Sequence, residues 1–158
     1  MPTKTVPKSG VVNHKTELCR GCKICELVCS AFHEGVCGSY LSRIHIDADD
    51  LNFNFSGQIC SQCESAECYF ACPLKDIALC IDSATGARYI NEAECTGCGA
   101  CAEACQLPEP PIWEKTQGGK AVFFKCDLCK DTEEGPLCVA MCPWGALKFV
   151  NKEGRLDG

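Results

Sequence analysis

All but two of the 18 cysteines in this 158-residue chain fall into four sets of four. Cys19, Cys22, Cys25 and Cys29 are spaced C-x2-C-x2-C-x3-C, and Cys95, Cys98, Cys101 and Cys105 repeat that spacing. Cys60, Cys63, Cys68 and Cys72 read C-x2-C-x4-C-x3-C-P, and Cys126, Cys129, Cys138 and Cys142 read C-x2-C-x8-C-x3-C-P. Three thiolates in one short loop grip three irons of a cubane, while the fourth cysteine of the run reaches a different cluster. The spacing therefore predicts four [4Fe-4S] clusters held by 16 cysteines.

Two other uses of cysteine compete. A disulfide scaffold belongs to a short secreted chain, and residues 1–10 carry no apolar export segment. Structural zinc suits Cys126, Cys129, Cys138 and Cys142, which form two close pairs, but not the first and third sets, whose four cysteines crowd into 11 residues. No 18-residue apolar run is present, so no membrane span is expected, and with no signal segment the expected location is cytoplasmic. A formal charge of −6 leaves no basic footprint for nucleic acid. No Walker loop, G-x-S-x-G or G-x-G-x-x-G stands in the sequence, so the expectation is an electron carrier, not an enzyme by itself.

The residues between the sets indicate which belong together. After Cys72-Pro73 come an apolar run (77–82), a Gly-containing turn (83–87), a second short run (88–90) and Cys95-Thr-Gly-Cys98. That reads as a β-hairpin joining the second set to the third. Cys142-Pro143 is followed by the apolar run 146–150, and Val11-Val12 precedes Cys19-Arg-Gly-Cys22, so the chain's two ends supply the same parts to the fourth and first sets. On this reading Cys19, Cys22, Cys25 and Cys142 hold one cluster, and Cys126, Cys129, Cys138 and Cys29 its neighbour. Cys60, Cys63, Cys68 and Cys105 hold a third, and Cys95, Cys98, Cys101 and Cys72 the fourth. The alternative pairs first with second and third with fourth.

The expected fold is α+β: two bacterial-ferredoxin-like dicluster units, one inserted in the other, with short helices and hairpins. Residues 11–58 plus 108–150 form the enclosing unit, 59–107 the inserted one, and 1–10 and 151–158 are tails. Short helices are expected within 22–33 and 98–107, and a hairpin over 112–124 turning at 116–119. Cys37 and Cys80 read as ordinary buried or loop thiols, and His14, His33 and His45 as surface or packing residues. Arg20 and Lys23 flank the first set while Glu64 and Glu67 lie in the second, so the Cys19 cluster is expected to have the higher potential.

Across residues 13–150 the order of sets resembles the four-cluster ferredoxin subunits of dimethyl sulfoxide reductase, formate hydrogenlyase and carbon monoxide dehydrogenase systems. The stretch Cys19-Arg-Gly-Cys-Lys-Ile-Cys-Glu-Leu-Val-Cys-Ser30, with His33-Glu-Gly35 and Leu41-Ser-Arg-Ile44, is most similar to a narrower group. These are the small subunits of tungsten aldehyde oxidoreductases and class II benzoyl-CoA reductases. One departure is Ser30 and Gln106 after Cys29 and Cys105, where simple ferredoxins carry proline. The resemblance implies a large catalytic subunit with a tungsten or molybdenum pterin, and a further redox partner such as ferredoxin, a flavin subunit or another copy of this chain. The alternative partners are hydrogenase, formate or carbon monoxide dehydrogenase enzymes, or none, the chain being a free-standing soluble polyferredoxin. Residues 31–59 and 106–125, which hold none of the 16 ligands, are candidate docking surfaces, with Phe53, Phe55, Trp113 and Phe123 read as exposed.

Overall fold

Pairs of short strands alternate with helices of one to three turns in the computed structural model, which describes residues 6–154. β1 (Val11–His14) pairs antiparallel with the last strand, Leu147–Val150, so Val11 faces Val150 and His14 faces Leu147. Helix α1 (Ile24–Glu34) stops at Gly35, whose left-handed backbone (φ 73°) turns its N–H back to the Ala31 carbonyl. After a 3-10 turn at Ser39–Leu41, β2 (Ile44–Asp49) and β3 (Asn54–Ile59) form a hairpin. Its tip is closed by Asp49, whose carboxylate accepts the Asn52 N–H at 3.2 Å and its side-chain amide at 2.7 Å.

Helix α2 (Glu67–Ala71) leads to β4 (Leu79–Ile81) and β5 (Arg88–Ile90), which pair around a turn held by Asp82: Thr85 donates to it from both its N–H (2.8 Å) and its hydroxyl (2.7 Å). Then come α3 (Ala100–Ala104), the hairpin of β6 (Ile112–Gln117) and β7 (Lys120–Lys125), α4 (Leu137–Met141) and β8 (Leu147–Val150). α1 packs on α4 and α2 on α3. The architecture is thus small mixed α and β with antiparallel two-stranded pairs, in keeping with the expected α+β class.

Two apolar cores result, and cysteine side chains enter both. One joins Val12, Ile44, Ile46, Phe55, Leu128, Ala146 and Leu147 to Cys19, Cys25, Cys29, Cys60, Cys126 and Cys138. The other joins Ala66, Tyr69, Leu79 and Ile112 to Cys101, with Cys68, Cys72 and Cys105 packed against it. No helix among the described residues is long and apolar enough to cross a membrane.

Some expectations change. The hairpin of β2 and β3, residues 44–59, lies within the segment 31–59 that was read only as a long connection. Within it Phe53 is 83 % exposed but Phe55 is 6 %, because strand alternation turns Phe55 inward onto Gly21. Trp113 and Phe123 are half-buried, Trp113 against His45 and Phe124. Ser9 and Gly10, assigned to a tail, are buried, and Arg88 donates to the Ser9 hydroxyl at 2.8 Å. Residues 151–154 are exposed, and the rest of that tail lies outside the described residues.

Candidate metal centres

Each of the four C-x2-C loops places a residue of positive φ just before its second cysteine: Gly21 (67°), Gln62 (46°), Gly97 (71°) and Leu128 (59°). That left-handed turn swings the backbone N–H inward. Gln62 donates to Cys60 Sγ, Gly97 to Cys95 Sγ and Leu128 to Cys126 Sγ, each at 3.4 Å. Phe123 N–H gives Cys95 Sγ a second donor at 3.4 Å, and Arg43 N–H reaches Cys29 Sγ at 3.2 Å. Such donors stabilise sulfur that carries negative charge.

The loops and the helices after them bring the cysteines to four cavities. One is lined by Cys19, Cys22, Cys25 and Cys142. A second is lined by Cys29, Cys126, Cys129 and Cys138, a third by Cys60, Cys63, Cys68 and Cys105, and a fourth by Cys72, Cys95, Cys98 and Cys101. Every one of the 16 cysteines lines a cavity with three others, and each cavity takes three cysteines from one set and the fourth from another. No two of the 18 form a disulfide. Cys37 is exposed, and Cys80 donates to the Ile77 carbonyl at 3.4 Å.

Several of the buried sulfurs resist ionising, whereas at Cys29 and Cys142 burial is outweighed by hydrogen bonds, from His33 foremost at Cys29 and from backbone N–H groups at Cys142, which lower these two. Burial pushes the Cys25 thiol up to about 12, helped by the Glu26 carboxylate and by Cys22 and Cys19. Burial likewise lifts Cys101 to about 12, with Cys68, Cys95 and Cys72 adding to it, and Cys129 to about 11. Cys138 and Cys126 rise too, again through burial first and neighbouring sulfurs next. Four thiolates sharing a buried cavity need positive charge at its centre, which an iron–sulfur core supplies. Residue type, number and enclosure all fit such a group.

The same electrostatics order the cavities. Cys25 of the first acts on Cys138 of the second, Cys60 of the third on Cys126 of the second, and Cys68 of the third on Cys101 of the fourth. Packing agrees, with α1 on α4, Gln62 bonded to the Cys126 carbonyl and α2 on α3, so neighbouring cavities follow in the order Cys19 set, Cys126 set, Cys60 set, Cys95 set.

His33, read from sequence as a surface or packing residue, stands in the wall of the second cavity. Its Nδ1 lies 2.9 Å from the Cys29 carbonyl and 3.7 Å from Cys29 Sγ, and its Nε2 is 2.9 Å from Asp127 Oδ1. Burial disfavours its charge, but the bonds to Asp127 and Cys29 outweigh that and raise it to about 9. Its spacing signal was its place four residues after Cys29, on the same helical face. Lys125 carries no such signal. It is 2 % exposed and lines the third cavity.

Comparison with known proteins agrees with this chemistry. Residues 51–152 match the 4Fe-4S dicluster domain family. The chain is 39 % identical over 140 residues to the polyferredoxin-like subunit of aliphatic sulfonate oxidoreductase from Pyrococcus furiosus, covering 87 % of this chain and 75 % of that one. It is 33 % identical over 152 residues to the electron transport protein HydN of Escherichia coli, covering 85 % and 83 %. A solved structure of the active site complex BamBC of benzoyl coenzyme A reductase, as isolated, superposes with a TM-score of 0.52 at 26 % identity, covering 91 % of this chain and 78 % of that one. With most of its length matched and cysteines converging on buried cavities, the chain belongs to the 4Fe-4S dicluster domain family, as an iron–sulfur electron-transfer subunit of oxidoreductase complexes.

Proposed function

We propose that this chain relays single electrons through four [4Fe-4S] clusters between a catalytic tungsten- or molybdenum-pterin subunit and an external donor or acceptor. The observation that carries the reading is the line of four cavities, each walled by four cysteines. On it Cys19, Cys22, Cys25 and Cys142 hold the first cluster, and Cys29, Cys126, Cys129 and Cys138 the second. Cys60, Cys63, Cys68 and Cys105 hold the third, and Cys72, Cys95, Cys98 and Cys101 the fourth. When bound, such a cluster accepts and returns one electron at a time. The chain's own part is to supply thiolates, aim backbone N–H groups at them, and keep water off the sulfur.

The exchange of cysteines between sets supports the two nested units, residues 59–107 inserted between 11–58 and 108–150. Each unit would carry two clusters, and the third cavity of the line meets the second at their seam. The pterin partner rests on the resemblance to the benzoyl-CoA reductase complex and to the aldehyde-oxidoreductase group. Exposed apolar residues at both flanks of the first two cavities, among them Phe32, Tyr40, Leu51, Phe53 and Trp144, offer it a surface.

Anaerobic purification of the native protein tests this. About 16 irons and 16 acid-labile sulfides per chain are expected, together with a large subunit containing tungsten or molybdenum. About eight irons would sink the four-cluster reading. The resemblance to formate hydrogenlyase subunit 2 of Escherichia coli favours a second reading, a formate- or hydrogen-linked enzyme, which nickel in the complex would select. A chain that purifies alone would be a free-standing polyferredoxin.

A further inference from the structure

Two buried ionisable side chains outside the 16 cysteines stand beside different cavities with opposite charge. Lys125 ends β7 and forms part of the wall around Cys60, Cys63, Cys68 and Cys105. Its ammonium donates to the carbonyls of Arg88 and, at 3.1 Å, of Cys126. Among the described residues it forms no ion pair with a carboxylate. The negative groups that its charge reaches are the sulfurs of Cys60, Cys68 and Cys126. Arg88, 1 % exposed, lines the same cavity and brings a second buried cation to it.

Glu26 stands at the other end of the line. It follows Cys25, is 1 % exposed, and accepts the Ile46 N–H at 2.6 Å, with Lys23 Nζ 3.7 Å away. It adjoins Cys25 in sequence but does not itself line the first cavity, which Lys23 does. Of the charges that the sequence made conspicuous, Lys23 and Glu67 line the first and third cavities, the one half-exposed and the other exposed, and the rest sit in water. Arg20, Glu64 and Glu67 are exposed, and Glu64 is further offset by Lys8 at 3.7 Å. Exposed charges are screened by solvent and salt, whereas buried ones act through a low dielectric.

We infer that Lys125, backed by Arg88, sets the potential of the cluster held by Cys60, Cys63, Cys68 and Cys105, so that this cluster is reduced before the one held by Cys19, Cys22, Cys25 and Cys142, whose cavity is lined by no buried cation and whose half-exposed Lys23 is offset by Glu26. The order is the reverse of that expected from Arg20, Lys23, Glu64 and Glu67. Reduction here adds one electron, from the partner enzyme or from dithionite in vitro, and makes or breaks no bond. The positive charge that meets the added electron is already in place, fixed by two carbonyls. The consequence is a resting place for the electron in the middle of the line, at the seam with the Cys126 set.

The inference rests on the ligand sets proposed above, and the test separates the two. The native complex is titrated anaerobically with dithionite and followed by electron paramagnetic resonance. Cys63→Ser and Cys22→Ser each alter one signal and so assign the two clusters. In the unmodified protein the Cys63-sensitive signal grows in first. Lys125→Gln lowers its reduced-to-oxidised ratio about tenfold at the wild-type midpoint, equivalent to about 59 mV for one electron. Lys125→Arg keeps it within about threefold. If Cys63→Ser leaves every signal unchanged, the ligand sets fail and this inference falls with them. If the signals assign but the Cys22-sensitive one is reduced first, the inference alone is overturned. That comparison needs no Lys125 variant and stands even if Lys125→Gln does not assemble. A Lys125→Gln protein with full iron and an unmoved midpoint overturns it too.

Discussion

A left-handed residue before the second cysteine is a geometric demand that the four loops meet in two ways. Gly21 and Gly97 take it without a side chain, whereas Gln62 and Leu128 accept a strain of about 1–2 kcal/mol each. At Gly97 there is no room for the alternative, since a Cβ there would lie 2.4 Å from the Ala121 carbonyl oxygen, which is backbone. Gly97→Ala should therefore cost about 2–5 kcal/mol, the sum of left-handed strain and overpacking. Its expected signature is loss of about a quarter of the iron, read by metal analysis, and normal iron content would refute it. Gln62 compensates its strain by accepting the Arg88 N–H at 2.7 Å and donating to the Cys126 carbonyl at 3.0 Å. Gln62→Ala keeps the same backbone but leaves the buried Arg88 N–H unmet, at about 1–3 kcal/mol, while Lys125 still serves the Cys126 carbonyl. A denaturation midpoint equal to wild type would contradict that. The glycines of C-x-G-C stood out in the sequence because a cysteine pair brackets them. Gln62 and Lys125 did not, since nothing local distinguishes a buried glutamine or lysine from a solvated one; their burial depends on segments more than 25 residues away.

At the scale of elements, the strands were easiest to foresee where a glycine turn joins them directly. The pairs β4–β5 and β6–β7 lie inside the expected segments, and β6–β7 turns at Gly118 and Gly119. The β2–β3 hairpin went unread because its turn, residues 50–53, carries no glycine and β3, Asn54-Phe-Ser-Gly-Gln-Ile59, shows no sustained alternation, although Ile44 to Asp49 alternates apolar with polar. Helices α2 and α4, five residues each, have no repeat long enough to show a period. Between elements lies a four-charge group that no local pattern announces. Arg43 meets Glu92 at 2.6 Å and Glu34 at 3.2 Å, and Lys115 meets both carboxylates at 2.5 Å. It ties α1, the lead into β2, the stretch before Cys95 and β6 together, and it spans both proposed units. Glu92→Gln would leave two cations facing one anion. These side chains are 8–17 % exposed, so the cost should fall below the 3–5 kcal/mol of a fully buried pair, at about 2 kcal/mol. Chemical denaturation of the cluster-loaded chain checks this, and a change under about 0.5 kcal/mol would show the group to be ornamental.

For the whole molecule, the question is what the chain folds around. Its large buried apolar side chains are few, and both cores are completed by cysteines that line the cavities. Burial and mutual repulsion raise most of the deeply placed sulfurs, Cys25, Cys101, Cys126, Cys129 and Cys138 among them. Only a cationic centre lets four of them ionise together, so binding of iron and sulfide and closure of the fold are one thermodynamic event. The β1–β8 pair makes that event global. Its strands come from opposite ends of the chain and stand next to Cys19 and Cys142, so loss of one cluster frees the closure of the molecule. Removing the iron anaerobically with a chelator should therefore abolish most far-ultraviolet circular dichroism and leave no cooperative unfolding transition. The hairpins cannot substitute, because an isolated two-stranded pair is marginal in water. A stripped chain that kept a native-like spectrum and a sharp melt would show that the apolar cores hold the fold by themselves, with the metal centres added afterwards.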